Sequence, residues 1–202
     1  MKQTVFGFAL AAAIAAGAQL SVPATAHAAC DAGKAGTALT GEEAQAVYDC
    51  LKESLAAGYA AGDKGWIPAE YVRDYRSWTP ASTFPAAPGF HGERFLLTFV
   101  NAAGAEQYLK YEDDGVTMPA GTVIAKESFS VNDQGTASPG PLFFMEKAPA
   151  GASPQTDDWY YMMVAPNGQP QAVPVADACH ACHAGFEGSD GLGYPVEEAR
   201  VK

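Results

Sequence analysis

The 202-residue chain is poor in cysteine, histidine and positive charge. It has four cysteines and four histidines, and 12 Lys and Arg stand against 23 Asp and Glu, a formal net charge of −11. That balance opposes binding to nucleic acid or to an anionic membrane. It suits plain solubility, or docking of a basic redox partner. After residue 28 no apolar run is long enough to cross a bilayer. There is no internal repeat, and no low-complexity tract beyond the N-terminal segment. With so few cysteines, no second ligand pair exists for a zinc module built from two pairs.

What is present begins with an export signal. Lys2 supplies a positive start, Phe6 to Ala18 is an alanine-rich apolar run, and Ala26-His27-Ala28 fits small-x-small cleavage. Residues 1–28 therefore read as a secretory signal peptide, and the expected location is periplasmic. A lipid anchor on Cys30 is the alternative, but the residues before it lack the usual leucine. In an oxidising compartment Cys30 and Cys50 would pair, closing a loop of about 20 residues worth about 3 kcal/mol. Two free thiols are the other reading.

Cys179, Cys182 and His183 spell Cys-x-x-Cys-His, the attachment pattern of a c-type haem. Two thiols three positions apart can each add to one porphyrin vinyl group, and the adjacent imidazole then becomes the proximal iron ligand. Three other readings compete. Zinc is possible with His180 added, but four ligands within five residues cannot easily surround one tetrahedral ion. A redox Cys-x-x-Cys expects a βαβ setting early in a domain. A simple disulfide is the third. The export signal favours haem.

The rest of the chain predicts an α+β fold, mainly an antiparallel β-sheet with flanking helices. Thr40-Gly-Glu-Glu43 is a capping box, and Ala44, Val47, Tyr48, Leu51, Leu55 and Tyr59 follow at helical spacing. A short helix is expected over 68–76, then a Pro- and Gly-rich loop over 79–92. Strands are expected over 94–101, 122–131, 141–147 and 158–165, with a short helix over 105–111. A helical turn over 173–182 would present the haem motif. Three segments result: residues 1–28 the signal, 29–70 a helical segment stapled by the disulfide, and 71–202 the haem domain.

Several motifs in order resemble one family. They are Tyr75 to Trp78, Asn101, Tyr108, Met118 to Glu127 (Met-Pro-Ala-Gly-Thr-Val-Ile-Ala-Lys-Glu), Met145 to Lys147, Asp158 to Tyr161 and the C-terminal Cys-x-x-Cys-His. Together they are similar to the cytochrome P-460 family, which includes cytochrome P-460 and cytochrome c′-beta. The resemblance implies one covalent haem c per subunit, five-coordinate iron with His183 as proximal ligand, and a homodimer. It also implies activity toward hydroxylamine or nitric oxide. Lys126 matches a lysine that contacts or cross-links the porphyrin, the one residue given a catalytic role. Read without the resemblance, Lys126 is an ordinary exposed strand lysine on a face with Ser128 and Ser130.

The distal side departs from the oxidising branch. The position of its proton-accepting carboxylate falls on Phe143, and that of its helper arginine on Leu96 or Leu97. Arg94 and Glu146 would serve only in a shifted register. The expected pocket is therefore apolar, capped by Phe143 with Phe95, Leu97 or Phe99 as further candidates. Such a pocket admits small neutral diatomics and offers no base. A six-coordinate electron-transfer cytochrome is the alternative. Met145, Met162, Met163, His91 and His180 are the available sixth ligands. His91 reads as a surface loop residue, and His180 as pointing away from the iron.

Overall fold

The computed structural model describes residues 30–86, 89–172 and 175–202. The expected signal peptide and the first two residues of the 173–182 turn lie outside the described residues. Helix α1 (Gly41–Ala60) starts where the capping box predicts: the Thr40 side chain accepts from Glu43 N, and the Glu43 side chain accepts from Thr40 N. Ala44, Val47, Tyr48, Leu51, Leu55 and Tyr59 form its buried stripe. Helix α2 (Ala69–Asp74) runs on into a 3-10 turn over Tyr75–Ser77. Among the described residues no helix is long and apolar enough to cross a membrane.

The sheet is antiparallel throughout. Its strands are β1 (Thr79–Pro80), β2 (Phe95–Val100), β3 (Val123–Val131), β4 (Ala137–Pro139), β5 (Leu142–Lys147) and β6 (Trp159–Val164). The order is β1-β2-β3-β5-β6, with β4 also on β3. Thus β4 and β5 pair in turn with one strand, broken at Gly140. A Cβ there would lie 2.3 Å from the Ser128 hydroxyl, so this close approach requires glycine. The expected loop over 79–92 also contains β1, and β4 had no counterpart in the reading of the sequence.

β3 is buried on both faces, which explains its run of Val, Ile, Ala and Phe. Val123, Ala125 and Phe129 join α1, α2, Phe95, Leu97 and Phe144 in one core. Ile124 faces the other way, into a second core with Val100, Met145, Trp159, Tyr161 and Leu192. The Cys30–Cys50 disulfide is formed and ties the N-terminal segment to α1.

On the α1 side, Glu127 is buried among partners. Tyr48 Oη donates to it at 2.9 Å, and the Arg76 guanidinium forks onto both carboxylate oxygens. Burial, and then the Glu127 charge, push the Tyr48 hydroxyl far above its ordinary pKa. Glu127 is 1 % exposed, so removing its cation leaves a buried charge without compensation. Arg76→Ala is therefore expected to cost about 3 kcal/mol in urea denaturation. A change near zero would show that Glu127 is relieved by some other route.

Candidate functional site

The site is on the face of the sheet away from α1. In β3, Lys126 pairs with Thr98 of β2 on one side and Phe143 of β5 on the other. Phe143 pairs in turn with Met163 of β6. In an antiparallel sheet paired residues share a face, so Thr98, Lys126, Phe143 and Met163 form one row. The exposed reading of Lys126 is thereby corrected: the residue is buried. The second core and the C-terminal segment cover the face that Ser128 and Ser130 suggested was solvated. Lys126 Nζ donates to the Gly193 carbonyl at 2.8 Å. Desolvation lowers the amine to about 8, toward its neutral, nucleophilic form.

The Cys-x-x-Cys-His segment packs against this row. A π-helical turn over Val175–His180 runs directly into a helical turn over Ala181–His183. Cys179 and Cys182 are three positions apart on these turns, the spacing that puts two side chains on one helix face. Both are free thiols, Cys179 half-buried and Cys182 exposed, and burial raises the Cys179 thiol. His183 comes one position later and is turned inward, where it is buried. Its ring lies 5.2 Å from Tyr161 and 6.4 Å from Phe186.

The orientation of His183 comes from a corner that the sequence did not announce. Asp190 and Gly191 are both left-handed (φ 57° and 77°), and Gly191 O is 2.7 Å from His183 Nδ1. A carbonyl can only accept, so Nδ1 carries the proton and Nε2 keeps its lone pair. Desolvation lowers the His183 imidazole to about 4, keeping it neutral. Asp190 anchors the corner. Its carboxylate accepts from Met118 N and from Lys147 Nζ, both at 2.7 Å, and its carbonyl accepts from Trp159 Nε1 at 2.8 Å.

These residues fit a c-type haem. Two free thiols one turn apart, a neutral imidazole with its outer nitrogen protonated, and a wall of Phe143, Tyr161 and Phe186 are what such a group requires. A tetrahedral zinc site fits less well. His180 is engaged elsewhere, 3.4 Å from Tyr161 Oη and 3.6 Å from Asp157. Among the described residues no group of three or more His, Cys, Asp or Glu is placed to hold a metal ion.

The other distal candidates separate by face. Leu96 shares the Lys126 face, whereas Phe95, Leu97 and Phe99 pair with Phe129, Glu127 and Ala125 on the α1 side. Those three are corrected from haem cap to core. Glu146 is also on the α1 side, opposite Val123, where burial and then the neighbouring Glu146 raise the Tyr71 hydroxyl. Met162 is on that side too, and Met145 is packed in the second core. His91, expected at the surface, is instead in the site. Its ring is 4.8 Å from Phe143 and 6.1 Å from His183. Burial lowers it to about 3. The pocket is therefore not purely apolar.

A scan against protein-family models matches residues 72–192 to Cytochrome P460. The match spans more than half of the chain and includes Lys126, Phe143 and the Cys-x-x-Cys-His segment. A search of curated proteins finds no match.

Asp190→Ala removes two short charge-assisted bonds and should cost about 2 kcal/mol in chemical denaturation. Asp190→Asn keeps an acceptor for Met118 and should cost less. Equal losses would mean that the carboxylate charge, not the Met118 bond, holds the corner.

Proposed function

Because the chain belongs to the cytochrome P460 family and is therefore a haem protein of that kind, we propose that it works as a periplasmic monohaem c-type protein. Cys179 and Cys182 hold the haem covalently, His183 is its proximal ligand, and the opposite side binds or converts nitric oxide or hydroxylamine. The haem supplies an iron that binds small molecules and exchanges electrons. The observation carrying the reading is the His183 hydrogen bond to Gly191 O, which leaves Nε2 free next to two unpaired thiols.

The chain's own residues do the rest. Gly191 O holds the imidazole tautomer. Phe143 and Phe186 keep water from the site. Lys126, buried and with its amine lowered to about 8, would contact the porphyrin or form the cross-link. Such a bond replaces one N–H and one ring C–H, so two protons and two electrons must pass to an oxidant such as a peroxide. The Phe143 position carries no carboxylate, which favours nitric oxide binding over multi-step hydroxylamine oxidation. A homodimer and a basic redox partner complete the proposal.

A six-coordinate electron carrier is the second reading, and the position of His91 favours it. Optical spectra of protein matured in a periplasm, with and without nitric oxide, separate the two. Under the first reading the reduced haem responds to nitric oxide or carbon monoxide. Spectra indifferent to both would leave only electron transfer. Two variants test the assignments. Cys179→Ser with Cys182→Ser should abolish haem staining on denaturing gels, and a stained band would overturn covalent attachment. Lys126→Ala should abolish any red-shifted Soret band, and an unaltered spectrum would dispose of the cross-link.

A further inference from the structure

We propose that His91 is the second axial ligand of the haem iron, holding the sixth position at rest and yielding it to an incoming small ligand. The inference rests on the haem reading above and goes beyond it, since that reading leaves the distal side open.

The first support is geometric. The His91 and His183 ring centres are 6.1 Å apart. Two imidazoles bound to opposite sides of one metal, each at a metal–nitrogen distance of ~2 Å, have ring centres about 6 Å apart. The second is an orphaned atom. His91 Nδ1 is buried and has no hydrogen-bond partner among the described residues. A buried polar atom left in this state requires an explanation, and an absent ion or cofactor is one. Most competing donors are committed elsewhere; Met163 is in the row with Phe143, and low-spin iron surviving His91→Ala would point to it. Lys126 is bonded to Gly193, Met145 is packed in the core, and His180 sits with Asp157 and Tyr161.

The third support is the backbone. His91, Gly92 and Glu93 are all left-handed, with φ 61°, 73° and 58°. A left-handed backbone is uncommon for a non-glycine residue, less so for His than for Glu, and such positions cluster at ligand clamps and active sites. The turn is closed by Glu93 N donating to Gly89 O at 2.8 Å. Phe90, beside His91, is 75 % exposed. The ligand thus comes from a short, lightly held turn rather than from a strand, which suits displacement.

The test is absorption and electron paramagnetic resonance of the haem-loaded wild type, of His91→Ala, and of His91→Ala with added imidazole. The wild type should be low-spin and six-coordinate. His91→Ala should be high-spin, bind carbon monoxide about tenfold faster or more once the competing ligand is gone, and return to low-spin with imidazole. A high-spin wild type overturns the inference whatever the variant does. A low-spin spectrum that survives His91→Ala overturns it as well. Protein without covalent haem overturns the haem reading and this inference together, whereas high-spin iron in haem-bearing protein overturns this inference alone.

Discussion

Strand β3 has a core on each side, and its period of two decides which side every residue serves. The adjacent pair Lys126 and Glu127 shows the consequence. Glu127 points toward α1, where Tyr48 and Arg76 surround its carboxylate. Lys126 points toward the Cys-x-x-Cys-His segment, where its amine meets Gly193 O. A buried charge needs a partner. Sent through opposite faces, Glu127 is paired with Arg76, while the Lys126 amine, lowered by desolvation to about 8, has the Gly193 carbonyl. A one-residue slip of β3 would exchange them and destroy both arrangements at once.

The C-terminal segment completes the second core without adding a strand. Its attachment is polar: the Asp190 corner is bonded to Met118, Lys147 and Trp159, and Lys147 Nζ also lies 4.9 Å over the Trp159 ring. The same corner offers Gly191 O to His183. Fold and site are thus coupled through two consecutive residues. Asp190 fixes the segment to the β5–β6 end of the sheet, and Gly191, at φ 77°, turns the carbonyl onto the imidazole. Orientation by a second group is what lets a histidine act as a reliable ligand.

Much of this is readable from residues alone, and the limits have physical causes. The capping box and apolar stripe of α1 and the strand positions are local signals, and the structure places each within a few residues of where they point. The face parity of Lys126 is also local, and it holds. Its burial is not, because a strand cannot report whether a distant segment covers its second side. Assigning Phe95, Leu97 and Phe99 to the pocket failed for a related reason: all three alternate onto the α1 side, which the register with β3 determines. His91 was misplaced because a short loop between Gly and Pro residues looks solvated whatever it packs against. The Asp190–Gly191 corner offered a signal in its Asp-Gly turn chemistry, but nothing in the sequence linked it to His183.

His91 also changes what the distal side can do. With Phe143 alone, the face above the iron would be apolar and would select ligands by size and neutrality. An imidazole beside Phe143 adds a competitor at the iron rather than a polar lining. Entry then depends on the difference in affinity between the incoming molecule and His91, not on the pocket's shape. Weak ligands such as water would be excluded, and a strong ligand such as nitric oxide would pay only for releasing a short turn. Selectivity would thus come from the thermodynamics of ligand exchange, in a fold whose Asp190 corner fixes the proximal side and whose sheet supplies Phe143 to the distal one.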